Sequence, residues 1–148
     1  MKLIIGADHA GYGMKEALKQ SLILSGHDVK DVGAYTYDVN DDYPDFVKPL
    51  VEEVLATSDS QAIFCAGSGQ GEAIAANRHK GIRAAVYCHH DLEVARLSRA
   101  DNNANVLSIG ARFVSAEDAK EAVALWLTIP FDPDPNSRHA RRLAKIDQ

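Results

Sequence analysis

The chain predicts an α/β fold: a five-stranded parallel sheet with helices on both faces. Three observations lead there. Short apolar runs and amphipathic helical segments alternate five times along 148 residues. The runs read as continuously apolar, as strands covered on both faces do. The length, with 46% hydrophobic and 25% charged residues, suits one globular domain over residues 1–148.

Lys2–Ala7 reads as the first buried strand. Tyr12–Leu24 follows as a helix that carries Leu18 and Leu22 on one face and stops at Gly26. Val29–Val32 is the second strand. Pro44 suits the first turn of the next helix, whose apolar face is Phe46, Leu50, Val51, Val54 and Leu55. Ala62–Ala66 is the third strand and Gly71–Arg78 a short helix after it. Arg83–Tyr87 is the fourth strand, and Asp91 can cap a helix over Asp91–Arg99. Val106–Ile109 is the fifth strand. Ser115 and Asp118 resemble a capping box, opening a helix that runs to about Leu127. Pro130, Pro133 and Pro135 interrupt the chain before a last helix from Ser137 to Ile146. The segment Pro130–Asn136 is too short to divide domains, yet it can carry that helix across to a partner subunit.

Several functional classes are disfavoured. No apolar run nears the roughly 20 residues that span a bilayer, so no membrane partner is expected. The apolar start is too short for a secretory segment, which makes the cytoplasm the expected location. A net charge of -5 argues against nucleic acid as a partner but allows a small anionic substrate. Cys65 and Cys88 fit neither a zinc spacing nor a disulfide framework. His89-His90-Asp91 offers neighbouring donors that face opposite ways in a strand, with no third ligand evident, so no metal site is expected.

In open parallel sheets, ligands bind beyond the carboxyl ends of the strands. One strand-end loop stands out: Gly67-Ser-Gly-Gln-Gly71, followed at once by Glu72. It lacks the Lys-Ser/Thr ending of a P-loop, and its third glycine falls one residue early for a dinucleotide fingerprint. The glycines alone can be tight turns, and Glu72 alone can be a helix-stabilising acid. Together they describe amides that hold an oxyanion, a hydroxyl on Ser68 that passes a proton, and a carboxylate for proton chemistry. Asp8-His9 lies at the same end of the sheet, where His9 can bind an anion or cap the next helix. Asn102, Asn103 and Asn105 can shape a turn, and a lone buried cysteine such as Cys65 usually packs. Arg138 and Arg142 lie four residues apart and share a helix face, which suits a phosphate or a solvated basic end.

These stretches, in order, resemble the ribose-5-phosphate isomerase B family, which includes the galactose-6-phosphate isomerase subunits. The resemblance rests on Gly6-Ala-Asp-His-Ala-Gly11, Asp42-Tyr-Pro44, Gly67-Ser-Gly-Gln-Gly-Glu72, Ile74-Ala-Ala-Asn77, Gly81-Ile-Arg-Ala84, Leu97-Ser-Arg99, Asn105-Val-Leu107, Gly110-Ala-Arg112 and Arg138-His-Ala-Arg-Arg142. It implies a Rossmann-like three-layer sandwich, a homodimer or dimer of dimers, and aldose–ketose isomerisation of a small phosphorylated sugar without metal or other cofactor. One branch of the family uses a cysteine at the end of the third strand as base; here that position is Ala66, with Cys65 one residue early. The other branch uses the glutamate after the glycine loop, which makes Glu72 the expected base. By resemblance Asp8, His9, Tyr43, Gly67, Gly69, Gly71, Asn102 and Arg112 line the site, and Arg138 and Arg142 of a partner subunit hold the phosphate. Many members carry a ring-opening histidine just before the Asn pair, where this chain has Asp101. Either Asp101 opens the ring, or the substrate needs no opening, as with a tetrose 4-phosphate. Ribose 5-phosphate and ribulose 5-phosphate are the expected pair. Tetrose and hexose phosphates, and a non-catalytic sugar-phosphate-binding module on the same fold, are the alternatives.

Overall fold

The computed structural model describes residues 2–132 and 134–146. Met1, the chain-breaking Pro133 and the last two residues lie outside them. Five strands form one parallel sheet: β1 (Lys2–Ala7), β2 (Asp28–Asp31), β3 (Gln61–Ala66), β4 (Ala84–Tyr87) and β5 (Val106–Gly110), in the order β2-β1-β3-β5-β4. Six α-helices are present among the described residues: α1 (Tyr12–Leu24), α2 (Pro44–Ala56), α3 (Gln70–Ala76), α4 (Leu92–Ala100), α5 (Ala116–Thr128) and α6 (Arg138–Leu143).

Alternation along each strand sends side chains to two separate cores. On one face Leu3, Ile5, Ile63, Cys65, Leu107 and Ile109 pack against α1, α4 and α5, with Leu18 and Trp126 among the buried partners. On the other, Ile4, Phe64, Ala66 and Val106 pack against α2 and α3. The result is the expected three-layer α/β sandwich. The Trp126 indole N–H donates to Ser98 Oγ at 3.0 Å, so the largest core side chain also has its polar atom paired. Asp91, Ser115 and Ser137 cap α4, α5 and α6, each accepting from a backbone N–H in the first turn.

The strands at the sheet edges depart from the sequence expectation. β2 runs over Asp28–Asp31 instead of Val29–Val32, and its residues alternate exposed and half-buried. It has β1 on one side only, so Lys30 can turn outward and bind Glu53. β4, the other edge, is half-buried until Tyr87. α3 begins at Gln70, not Gly71, and ends at Ala76. α6 ends at Leu143, short of the expected Ile146.

The strand order makes the crevice. From β1 the chain goes outward to β2, then returns past β1 to β3. The loop after β1 leads to α1 on one face, and the loop after β3 leads to α3 on the other. Between them lies a topological switch point, where α/β sheets hold ligands. The loop after β2 closes one side of it. Lys15 of α1, fully buried, anchors that loop by donating to Asp31 Oδ1 and Oδ2 at 3.0 and 2.9 Å and to the Ala34 carbonyl at 2.6 Å. Burial pushes the Asp31 carboxyl up, but hydrogen bonds from Lys19, the Gly33 amide and Lys15 hold it below its ordinary range. No helix among the described residues is long and apolar enough to cross a membrane.

Candidate active site

The start of α1 touches the end of β3 because Gly11 has no side chain. A Cβ there would stand 2.0 Å from the carbonyl carbon of Cys65. The Asp8 amide donates to the Cys65 carbonyl at 3.3 Å, and Asp8 Oδ1 accepts from the Gly11 amide at 3.0 Å. Asp8 and His9 are thereby set beside the glycine loop that leaves β3.

That loop is held from both sides. Gly69 has φ +79°, a left-handed conformation, and its carbonyl accepts from Ser108 Oγ at 2.8 Å. The loop after β5 follows it closely: Ala111 N–H donates to Ala66 O at 2.7 Å and Arg112 N–H to Gly67 O at 3.1 Å. The Arg112 guanidinium lies 3.3 Å from where a Cβ on Gly67 would stand, and the Tyr43 phenol 3.0 Å from that of Gly71. Ser68 is half-buried, with Oγ accepting from the Gln70 amide at 3.3 Å. Asp8, His9, Tyr43, Gly67, Ser68, Gly69, Gly71, Glu72 and Arg112 are thus gathered by the loops after β1, β2, β3 and β5.

Glu72, in the first turn of α3, is 6% exposed. Burial pushes its carboxyl above the ordinary range, its own backbone N–H pulls the other way, and the neighbouring Asp8 charge adds to the rise. Asp8 is also raised, by burial first, against stabilising hydrogen bonds from the Gly11 amide and the pull of His9. His9 Nδ1 meets Asp41 Oδ1 at 2.5 Å, and that hydrogen bond raises its pKa. Sequence reasoning passed over Asp41 and Ser108. Asp41 sits in an acidic stretch that reads as solvated, and nothing local marks Ser108 as the loop's anchor. Cys65 belongs to the core on the α1 side, whereas Ala66 faces the α3 side that carries Glu72. Burial drives the Cys65 thiol far above its ordinary value, so it stays protonated.

The other expected site residues lie elsewhere in the protomer. Asp101 caps the far end of α4, and Asn102 lines a cleft with Ile82, Ala84, Leu143 and Ile146, beside the amino ends of the strands. β3 alone separates the two ends of the sheet by roughly 20 Å. α6 is at this far end too: His139 Nε2 stands 3.9 Å from Asp101 Oδ1, and Arg138 and Arg142 are exposed. One protomer therefore does not bring Asp101, Asn102, Arg138 or Arg142 to Glu72. No cluster of three or more His, Cys, Asp or Glu side chains suited to a metal occurs among the described residues. His90 instead pairs with Asp118 at 3.1 Å.

Known proteins resemble this chain in sequence and in fold. Ribose-5-phosphate isomerase B of Mycolicibacterium paratuberculosis is 39% identical over 143 residues, covering 97% of this chain and 87% of its own length. D-erythrulose-4-phosphate isomerase 2 of Mycolicibacterium smegmatis is 39% identical over 139 residues, covering 93% of this chain and 90% of its own. The crystal structure of ribose-5-phosphate isomerase B from Mycoplasma genitalium with bound ribulose-5-phosphate superposes with a TM-score of 0.90 at 35% identity, covering 98% of this chain and 93% of that one. Residues 3–146 match the Ribose/Galactose Isomerase family throughout, and the chain belongs to that family.

Proposed function

We propose that this enzyme interconverts ribose 5-phosphate and ribulose 5-phosphate through a cis-enediolate, with Glu72 as the base. The observation that carries the reading is the burial of Glu72 at the end of the glycine loop beside Asp8, which raises its pKa toward that of an effective base. Glu72 takes the proton from C2 of the aldose and returns it to C1. The hydroxyl proton passes between O2 and O1, with Ser68 as relay. Amides of the Gly67–Gly71 loop stabilise the oxyanion. Tyr43 and Arg112 wall the site on two sides.

The site is completed by a second copy of the chain. Asp101, Asn102, Arg138 and Arg142 are displaced from Glu72 by the length of the sheet. Beside the β4 edge, Ile74 of α3 is 61% exposed and shares a cleft with Ala84 and Val86, and Val94 of α4 is 46% exposed. A two-fold axis across that side and perpendicular to the strands runs the two sheets in opposite directions. The amino end of one sheet, with its α6, then meets the carboxyl end of the other. In this homodimer each 1–148 chain folds as one domain, and the partner's α6 places Arg138 and Arg142 at the sugar's phosphate. A cytoplasmic location accords with such a metabolite.

A specific observation favours a second substrate. The M. smegmatis relative is named a D-erythrulose-4-phosphate isomerase, and this chain has Asp101 at the position where the family resemblance implies a ring-opening histidine. A tetrose 4-phosphate cannot close a furanose and needs no such group. Turnover on four-, five- and six-carbon aldose phosphates separates the readings. The proposal expects ribose 5-phosphate to be best; a strong preference for the tetrose would reassign the substrate and leave the isomerisation chemistry intact.

A further inference from the structure

We propose that Arg83 and Arg99 are positioning residues: together they clasp the turn Asp101–Ala104, so that it presents Asp101 and Asn102 in one fixed arrangement to the active site of a second copy of the chain. The proposal rests on the shared-site reading above and deepens it. Both arginines lie in stretches that neither the proton chemistry nor the phosphate uses, Gly81-Ile-Arg-Ala84 and Leu97-Ser-Arg99.

The turn leaves α4 and leads into β5. Its backbone closes on the helix: Asn103 N–H donates to Arg99 O at 3.0 Å and Ala104 N–H to Ser98 O at 2.9 Å. Asn103 has φ +47°, a left-handed conformation uncommon outside glycine, which its surroundings must hold. The two arginines supply that hold. Arg99, in the last turn of α4, donates from Nη1 to Asn103 Oδ1 at 3.0 Å and to the Ala104 carbonyl at 2.6 Å. Arg83, just before β4, donates from Nε to the Asn103 carbonyl at 2.8 Å. Asn103 is thus gripped by both of its oxygens, from two separate elements. Arg99 is itself fixed from behind. Its guanidinium lies over the buried Trp126 ring, 5.6 Å from the centroid. With its amide oxygen turned toward Arg99, Gln61 accepts from Nε and Nη2 at 3.1 and 3.2 Å.

The charges show what the clasp is for. Both arginines are half-buried, and the hydrogen bonds that join them to the turn go to uncharged oxygens. Burial first, and then the neighbouring Arg83 charge, pull the Arg99 pKa down. Two like charges held together in a half-buried cleft are an expensive way to pack a chain. In return, charged donors make stronger hydrogen bonds, and the planar fork of arginine fixes their directions. What is gained is the place of the turn. Its inner half is gripped, with Ala104 buried, while Asn102 is exposed and Asp101 half-exposed. Those two outward residues are the ones the partner's site would receive. A shift of about 1 Å in such groups can slow a reaction about a hundredfold.

The test uses Arg99→Lys, which keeps the charge and loses the fork, and Asn103→Gly, which keeps the left-handed backbone and loses Oδ1. Each should lower kcat on ribose 5-phosphate by about ten- to a hundredfold. Inorganic phosphate should still bind within about twofold of wild type, as loss of a contact made in the transition state predicts. The decisive reading comes from hybrid dimers of Arg99→Lys with Glu72→Gln. Their one working site joins Glu72 of the Arg99→Lys chain to the intact turn of the Glu72→Gln chain, so it should turn over at the wild-type rate per site. A site that stays slow would mean that Arg99 serves only the fold of its own chain, and would overturn the proposal. So would an unchanged kcat in both variants, or a phosphate affinity that falls as far as kcat. Should Arg99→Lys fail to fold, Asn103→Gly is carried through the same hybrids. Hybrids of Glu72→Gln with the double variant Arg138→Ala, Arg142→Ala separate the two failures. Rescue there but not with Arg99→Lys overturns the clasp alone, whereas rescue in neither overturns the shared site and the clasp with it.

Discussion

Glu72 sits in opposing fields: burial and Asp8 favour its neutral form, and its own backbone amide favours the charge. The motif around it was legible in the sequence, because a glycine loop followed by an acid is a local pattern. The balance was not, since it depends on Asp8, which is distant in sequence and brought close by the packing of Gly11 on β3. Burial wins, and two outcomes follow. The acid limb of kcat/KM should lie above the ordinary glutamate value of about 4.3, and Glu72→Gln should lower kcat by about 10²–10⁴ or more. The same variant should be more thermostable than wild type near pH 7. Below the ordinary value both folded and unfolded chains hold the proton, so the residue costs nothing there. As pH rises the unfolded chain ionises first, and stability falls until the folded group has also ionised. Thermal melts across pH should therefore show the gap closing toward about pH 4. A wild type that is more stable than Glu72→Gln at neutral pH would mean the burial penalty has been misjudged.

At the scale of elements, periodicity found every strand and α-helix because core positions repeat by twos or by threes and fours. It misjudged the sheet edges. The sequence Asp28-Val-Lys-Asp31 makes sense only once β2 is known to have a single neighbour, and strand order is not written in any local pattern. Gly11 shows the same limit: its need is set by Cys65, 54 positions away in sequence yet in direct contact. Gly11→Ala would force Cβ into the β3 backbone, part α1 from the sheet and cost about 3 kcal/mol or more, as severe overpacking does. A denaturant midpoint unchanged in that variant would show that the helix start is not wedged as described. Gly69→Ala should act more locally. The added methyl meets Ser108 at 3.0 Å in a left-handed residue, so activity should fall further than stability.

The whole molecule carries the feature the sequence marked least directly. Asp101, Asn102, Arg138 and Arg142 were nameable through resemblance, but their distance from Glu72 emerges only when α4 and α6 are seen to end at the amino side of the sheet. If two copies complete each other, inactive variants should rescue one another. Glu72→Gln mixed with the double variant Arg138→Ala, Arg142→Ala, after subunit exchange, should recover up to about a quarter of wild-type activity, since half the dimers are hybrids with one intact site. No recovery from demonstrably hybrid dimers would mean that each chain builds its site alone.

The central claim is that Glu72 moves a proton between adjacent carbons of a sugar phosphate, and solvent exchange reads that step directly. Wild type and Glu72→Gln are incubated with ribose 5-phosphate in deuterium oxide and followed by proton NMR. The account predicts ketose formation with deuterium entering at C1 of the ketose and C2 of the aldose, the two carbons of the enediolate, in wild type, and neither in the variant, with the phosphate still bound. Exchange at near wild-type rate in Glu72→Gln, or none in wild type despite tight binding, would contradict it.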